Sequence, residues 1–180
     1  LFLGSDFAGS IKYENEDAEK TGNIAYDLYN QVAGFSVNGQ ISSGNNKIER
    51  LTAVVPLEFG GGTLVFKSSS LFGDNKLNGY VNVLAEGDNL SFLKLFKVNL
   101  VPDPHNTMDK EYRLFEQGAD YYLYDNTAKK LKKIKLREKD IYGMVKSKEV
   151  AKKFVENNKL DLSKESDVIR LVNELNRGVN

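Results

Sequence analysis

Cysteine is absent from the 180 residues, which excludes a disulfide framework, a thiolate nucleophile and any cysteine-ligated metal centre. That absence fits a reducing compartment, and equally a bacterial envelope protein whose core is large enough to fold without staples. Histidine occurs once, at His105. A lone imidazole without patterned carboxylates around it makes neither an ordinary zinc site nor a catalytic triad. No run approaches the ~20 apolar residues of a membrane helix. Net charge is also lacking, since 25 basic residues balance 25 acidic ones, so no global field draws in nucleic acid or an anionic membrane. Glu14, Glu16, Asp17 and Glu19 crowd one polar stretch but lack the Asp-x-Asp-x-Asp-Gly spacing of a calcium loop. Gly60-Gly61-Gly62 is followed by neither Lys-Ser/Thr nor a helix, so it reads as a connection between strands rather than a phosphate cradle. No cofactor is expected from these patterns.

What is present suffices for a packed interior. At 41 % hydrophobic residues, the chain can bury one core, or one core with a small appended subdomain. The charge balance conceals an asymmetry. Residues 1–128 carry 10 basic and 17 acidic side chains, a net of −7, whereas residues 129–180 carry 15 and 8, a net of +7. An anionic partner therefore favours the C-terminal part.

As far as Val101, short alternating or apolar runs are punctuated by Gly, Asn, Asp and Ser, the texture of strands and turns. The expected strands are Ser10 to Tyr13, Asn23 to Leu28, Gly34 to Val37, Glu49 to Leu57, Thr63 to Ser68, Tyr80 to Ala85 and Leu90 to Val101. Asn38-Gly39 and Glu86-Gly87-Asp88-Asn89 carry hairpin chemistry, because these residues tolerate the positive φ of tight turns. In the last strand the alternation slips at Phe92 and Leu93, which predicts a bulge or a change of buried face in a central strand.

Val101 to Thr107 contains Pro102 and Pro104 and reads as a stiff extended linker. Beyond it, Tyr121 to Tyr124, the turn Asp125-Asn126-Thr127, and Leu131 to Leu136 predict a second hairpin. Three helices are expected after that: Glu138 to Val145, Lys148 to Asn158 and Lys164 to Asn176. For the third, Ser163 is the expected N-cap, Val168, Leu171, Val172 and Leu175 form its apolar stripe, and Gly178 closes it. The fold expected is α+β: an antiparallel meander, sheet or sandwich, over residues 1–101, a proline-containing linker over 102–113, and a β-hairpin with C-terminal helices over 114–180.

The strongest local chemistry is the basic run Lys129, Lys130, Lys132, Lys133, Lys135, Arg137 and Lys139, threaded by Leu131, Ile134 and Leu136. Lysines on the solvent side of a hairpin strand discourage edge-to-edge aggregation. The same lysines can hold an anionic surface. Tyr121, Tyr122 and Tyr124 on the partner strand add a candidate stacking surface for single-stranded nucleic acid, although tyrosine is also a good strand former.

Two stretches carry a resemblance. Gly22 to Gly39, with Tyr26-Asp27-Leu28-Tyr29-Asn30 at its centre, is similar to the N-terminal β region of a group of exported envelope proteins from Bacteroidota-type bacteria. Tyr121 to Leu136, the lysine-rich helix, Asn158-Lys159-Leu160-Asp161-Leu162 and the helix from Glu165 to Asn176 resemble that group's ending. The resemblance implies a periplasmic or outer-membrane-associated location, and it brings no catalytic residues. With the start at Leu1 it leads to the expectation of a cleavable signal upstream, one version of which ends in a lipid-modified cysteine. The expected function is a non-catalytic envelope module that binds a protein or an anionic envelope polymer. Two alternatives are a hydrolase working through loop carboxylates and a nucleic-acid-binding module.

Overall fold

The computed structural model describes residues 6–42, 46–59, 61–73, 77–105 and 113–178. Among the described residues, ten strands form an antiparallel β-sheet that does not close into a barrel, and three α-helices follow it. The chain divides into two compact units, Leu1–Thr63 with Phe96–Ala119, and Leu64–Leu95 with Asp120–Asn180.

The first unit contains β1 (Phe7–Tyr13), β2 (Lys20–Asp27), β3 (Val32–Val37), β4 (Gln40–Ser42) and β5 (Ile48–Val54), in the order β5-β1-β2-β3-β4. Successive strands pair antiparallel as far as β4, and β5 returns beside β1 with Ser10 opposite Thr52. Period-two burial of Phe7, Ile11 and Tyr13 in β1 and of Leu51 and Ala53 in β5 fixes this register, and a register shift between Lys12 and Tyr13 brings Ile48, three residues before Leu51, opposite Tyr13 as a further buried position. Asn38 and Gly39 both have positive φ, the two-residue hairpin geometry the sequence predicted. The turn after β2 is built by Asp27, whose carboxylate accepts the N–H groups of Tyr29 at 2.9 Å and Asn30 at 3.1 Å. The strand expected to run to Leu57 stops at Val54, and Leu57–Phe59 turns into a 3-10 segment instead. Pro56 explains the stop, because it has no N–H to give a ladder.

The second unit contains most of β6 (Thr63–Ser68), β7 (Tyr80–Ala85), the first half of β8 (Leu90–Pro102), the second half of β9 (Arg113–Asp125) and β10 (Lys130–Ile134). Their order is β10-β9-β8-β7-β6. α1 (Glu138–Tyr142), α2 (Lys148–Asn157) and α3 (Glu165–Asn176) complete it. The slip at Phe92 and Leu93 is a register shift: Val83 faces Leu93 while Ala85 faces Phe92, so the extra residue sits in β7. Phe92 and Leu93 are consecutive and both fully buried, as a central strand covered on both faces requires. Phe92 belongs to a core with Leu123, Ile134, Ile141, Ala151, Val168, Leu171 and Val172. Leu93 belongs to another, with Phe72, Val81, Leu95, Tyr122 and Tyr124.

The helical stripe packs as its spacing predicted, with Val168, Leu171 and Val172 fully buried and Leu175 partly so. Ser163 does not cap α3. Its hydroxyl donates to Asp161 Oδ1 at 2.6 Å, and Lys164 takes the N-cap position without a side-chain bond. Asp161 wins because the same oxygen also accepts the Ser163 N–H at 3.0 Å, a local turn that competes with capping. The Asn158-Lys159-Leu160 step ends α2. Lys159 adopts positive φ, Leu160 N–H bonds Val155 C=O at 3.0 Å, and Lys159 N–H bonds Glu156 C=O at 3.2 Å, the paired bonds of a Schellman ending. Of the expected linker, Pro102 closes β8 and residues 103–105 are described, while residues 106–112 lie outside the described residues.

Candidate functional site

The basic run lies on β10, the terminal strand of the order in the second unit. It continues through the turn into α1. β10 pairs with β9 so that Lys130 faces Asp125, Leu131 faces Tyr124, Lys132 faces Leu123, Lys133 faces Tyr122 and Ile134 faces Tyr121. Alternation therefore sends Lys130 and Lys132 to one face and Lys133 to the other. Ile134 is buried and Leu131 half-buried, whereas Lys129, Lys130, Lys132, Lys133, Lys135 and Arg137 are all exposed. Apolar residues thus hold the strand down, and the ammonium groups stay in water.

Two acidic residues flank this strip. Asp120 pairs with Lys133 at 2.8 Å and raises that lysine's pKa above its usual range. Asp140 pairs with Arg137 at 3.0 Å and accepts the Lys135 N–H at 3.0 Å. These two partners hold the Asp140 carboxyl below the ordinary carboxylate range. Lys129, Lys130, Lys132 and Lys135 make no salt bridge among the described residues. The sequence singled out the lysines but gave no weight to Asp120 and Asp140, the carboxylates that bracket them.

The tyrosines do not share a face. Tyr122 and Tyr124 are buried in the core around Leu93, where Phe72 meets Tyr124 edge-on at 5.2 Å. Tyr121 lies on the opposite face, stacked on Phe92 at 5.7 Å, with its hydroxyl donating to Glu165 Oε2 at 2.8 Å. Lys94 reaches the same carboxylate oxygen at 2.7 Å and lies 5.6 Å from the Tyr121 ring centroid. Burial, followed by the neighbouring Glu165 carboxylate, pushes the Tyr121 hydroxyl up to about 12. This arrangement pins the first turn of α3 to β8 and β9, and leaves no ring of the three as an open platform for a base.

The remaining candidates are local. His105 is exposed, and its N–H donates to Asp103 Oδ1 at 2.9 Å. Glu16 pairs with Lys20 at 2.9 Å, and Glu19 is bound by Ser10 and Arg50, which pull its pKa down. Of the glycine triplet, Gly61 and Gly62, both at positive φ, lead into β6 and not into a helix, and Gly60 lies outside the described residues. No group of three His, Asp or Glu side chains among the described residues is placed to hold a metal ion. No described helix is long and apolar enough to cross a membrane.

A cavity of about 210 Å³ opens beside the start of α2, walled by Leu90, Val145, Val150 and Leu175 with Asp125 and Lys146 at its polar side. Both polar groups are engaged. Asp125 Oδ1 accepts the Thr127 and Ala128 N–H groups at 2.8 Å, and Lys146 donates to Thr127 Oγ1 at 3.0 Å. Nothing in the sequence marked this hollow, because its walls come from four separate segments. No family model matches the chain, and comparison with curated proteins and with solved structures returned no match.

Proposed function

We propose that this chain is a non-catalytic module of the bacterial envelope that binds an anionic polymer or another envelope protein through the basic strip of β10. The observation that carries this reading is the rigid presentation of that strip. Lys129, Lys130, Lys132 and Lys135 stand exposed on an ordered edge strand and its flanking turns, without a salt bridge among the described residues. Because the backbone beneath Lys130 and Lys132 is already paired in a strand, a polyanion has only their side chains left to order. Asp120 pairs with Lys133 of the strip itself, and three other carboxylates near it are committed to their own turns: Asp125 to Thr127 and Ala128, Asp140 to Lys135 and Arg137, Asp161 to Ser163. A carboxylate tied to backbone N–H groups serves structure in preference to acid–base chemistry. The similarity of the Tyr26–Asn30 and Asn158–Leu162 stretches to exported envelope proteins supports the location.

Retention on immobilised heparin tests the binding. Replacing Lys130, Lys132 and Lys135 together by Gln is expected to lower the eluting salt concentration while leaving the thermal midpoint unchanged. Equal retention of the variant and the parent contradicts the assignment of the strip. For location, cell fractionation is expected to recover the native protein with the envelope, and recovery solely from the cytoplasm contradicts it.

A further inference from the structure

We infer that the partner held at this strip is an extended acidic peptide segment, which adds to β10 as a further antiparallel or parallel strand. The inference rests on the reading of the strip as a binding surface, and it narrows the ligand to one class. Three observations carry it.

The first is the unpaired edge. β10 bonds β9 on one side and is terminal in the order, so its other side has no strand partner among the described residues. Alternate peptide groups of Lys130–Ile134 therefore face away from β9 with their hydrogen-bonding capacity available. The end of this edge is defined: the Lys135 N–H is already taken by Asp140 at 3.0 Å, and the Arg137 N–H by Lys135 C=O at 2.8 Å. Five residues, Lys130 to Ile134, remain as the docking length.

The second observation is that the ammonium groups lie on both faces of the edge. Lys130 and Lys132 project to one face, their Cα atoms about 6.8 Å apart as next-but-one residues of a strand, and Lys133 projects to the other, where it already pairs with Asp120 at 2.8 Å and would share its ammonium with an incoming carboxylate. A ligand lying flat against one face of the sheet meets only one of these sets. An added strand meets both, because its own side chains alternate with the same period, and each of its carboxylates can stand opposite a lysine.

The third is selectivity. A lysine-lined edge repels a second copy of itself and leaves an uncharged strand facing desolvated ammonium groups. Only an acidic strand converts those groups from an obstacle into cross-strand pairs. Protection against aggregation and choice of partner are thus the same device.

The test uses the full chain and three labelled probes: a peptide of Glu-Glu-Thr repeats, which sets carboxylates on both faces of a strand, its counterpart of Gln-Gln-Thr repeats, and a heparin fragment. Anisotropy reports binding, and amide hydrogen exchange at Lys130–Ile134 reports strand formation. The Glu peptide is expected to bind and to slow exchange across β10, and the Gln peptide to bind at least tenfold more weakly. Lys130→Gln with Lys132→Gln is expected to weaken the Glu peptide about 2- to 30-fold, the range for two cross-strand charge pairs. Binding of the Glu peptide without slowed exchange overturns the strand geometry. Equal binding of the Gln peptide overturns the charge selectivity. Heparin binding without peptide binding overturns the acidic-peptide assignment but spares the strip as an anion surface, whereas binding of none of the probes overturns both.

Discussion

Asn176 and Asn126 each make several side-chain bonds in the second unit, and Asn176 shows how a single residue fixes a helix end. Asn176 Oδ1 accepts the Asn89 N–H at 3.2 Å and the Leu90 N–H at 2.9 Å, while its Nδ2 donates to Leu90 C=O at 2.8 Å. Asn126 Nδ2 bonds Gly87 C=O at 2.7 Å and Ser91 Oγ at 2.8 Å. Gly87 is required by space: a Cβ there would lie 2.4 Å from Asn176 Cγ. Asn176→Ala is expected to cost about 1–3 kcal/mol by orphaning the Leu90 groups. Gly87→Ala should be destabilising alone and much less so in the Asn176→Gly background, which also removes the Asn176 Cβ that would lie 2.6 Å from the new methyl, a coupling that a double-mutant cycle in urea measures directly. Additive effects would contradict the contact.

Tyr121 gives a pH dependence with a definite sign. Its folded pKa is raised to about 12, above the unfolded value near 10. The stability it contributes is therefore fully present below about pH 10 and is lost as pH rises towards 12. Tyr121→Phe should remove one tyrosinate that forms near pH 12 from the absorbance profile and flatten the loss of stability over that window. His105 stands apart from all of this, so His105→Ala is expected to shift stability by less than ~0.5 kcal/mol and to leave anion binding unchanged.

At the scale of elements, α3 depends on its stripe. An isolated helix of this length is marginal in water, so its order comes from burying Val168, Leu171 and Val172. Leu171→Ala is expected to cost about 2–5 kcal/mol through the cavity it leaves. Lys133→Ala should cost much less than that, since the lysine end of its pair with Asp120 is exposed, although the carboxylate end is largely buried. Denaturant midpoints of the two variants check the contrast.

The elements that were legible in the sequence are those with undisturbed periodicity. Thr63–Ser68 and Tyr80–Ala85 have the expected bounds, and the helices agree within a few residues, most closely α2 and α3. β4 was missed because three residues carry no period to read. The outer half of β9 was missed for a different reason: residues 113–118 are exposed throughout, so no alternation of apolar and polar positions announces them. The Ser163 cap was misjudged because Asp161, two residues away, is the stronger local acceptor. Of the candidate site, the lysine positions were legible from composition, but the separation of the tyrosines onto two buried faces depends on pairing partners that a single strand does not reveal.

Across the whole molecule, the charge asymmetry follows the units as well as the sequence. The first unit carries 7 basic against 12 acidic residues, a net of −5, and the second 18 against 13, a net of +5. The structure concentrates much of the second unit's excess on one edge strand and the turns beside it, where four lysines make no salt bridge among the described residues. Stability and the proposed binding are therefore separate: the buried stripes hold the fold, and the β10 lysines are the surface proposed for the partner.

The salt dependence of polyanion affinity tests that separation most directly. For a heparin fragment titrated against the parent chain, the logarithm of the binding constant should fall steeply and linearly with the logarithm of salt concentration, as counterion release dictates. With Lys130, Lys132 and Lys135 replaced by Gln, the account predicts weaker binding, a shallower slope and the same melting temperature. An unchanged slope in the triple variant, with its fold intact, would contradict it.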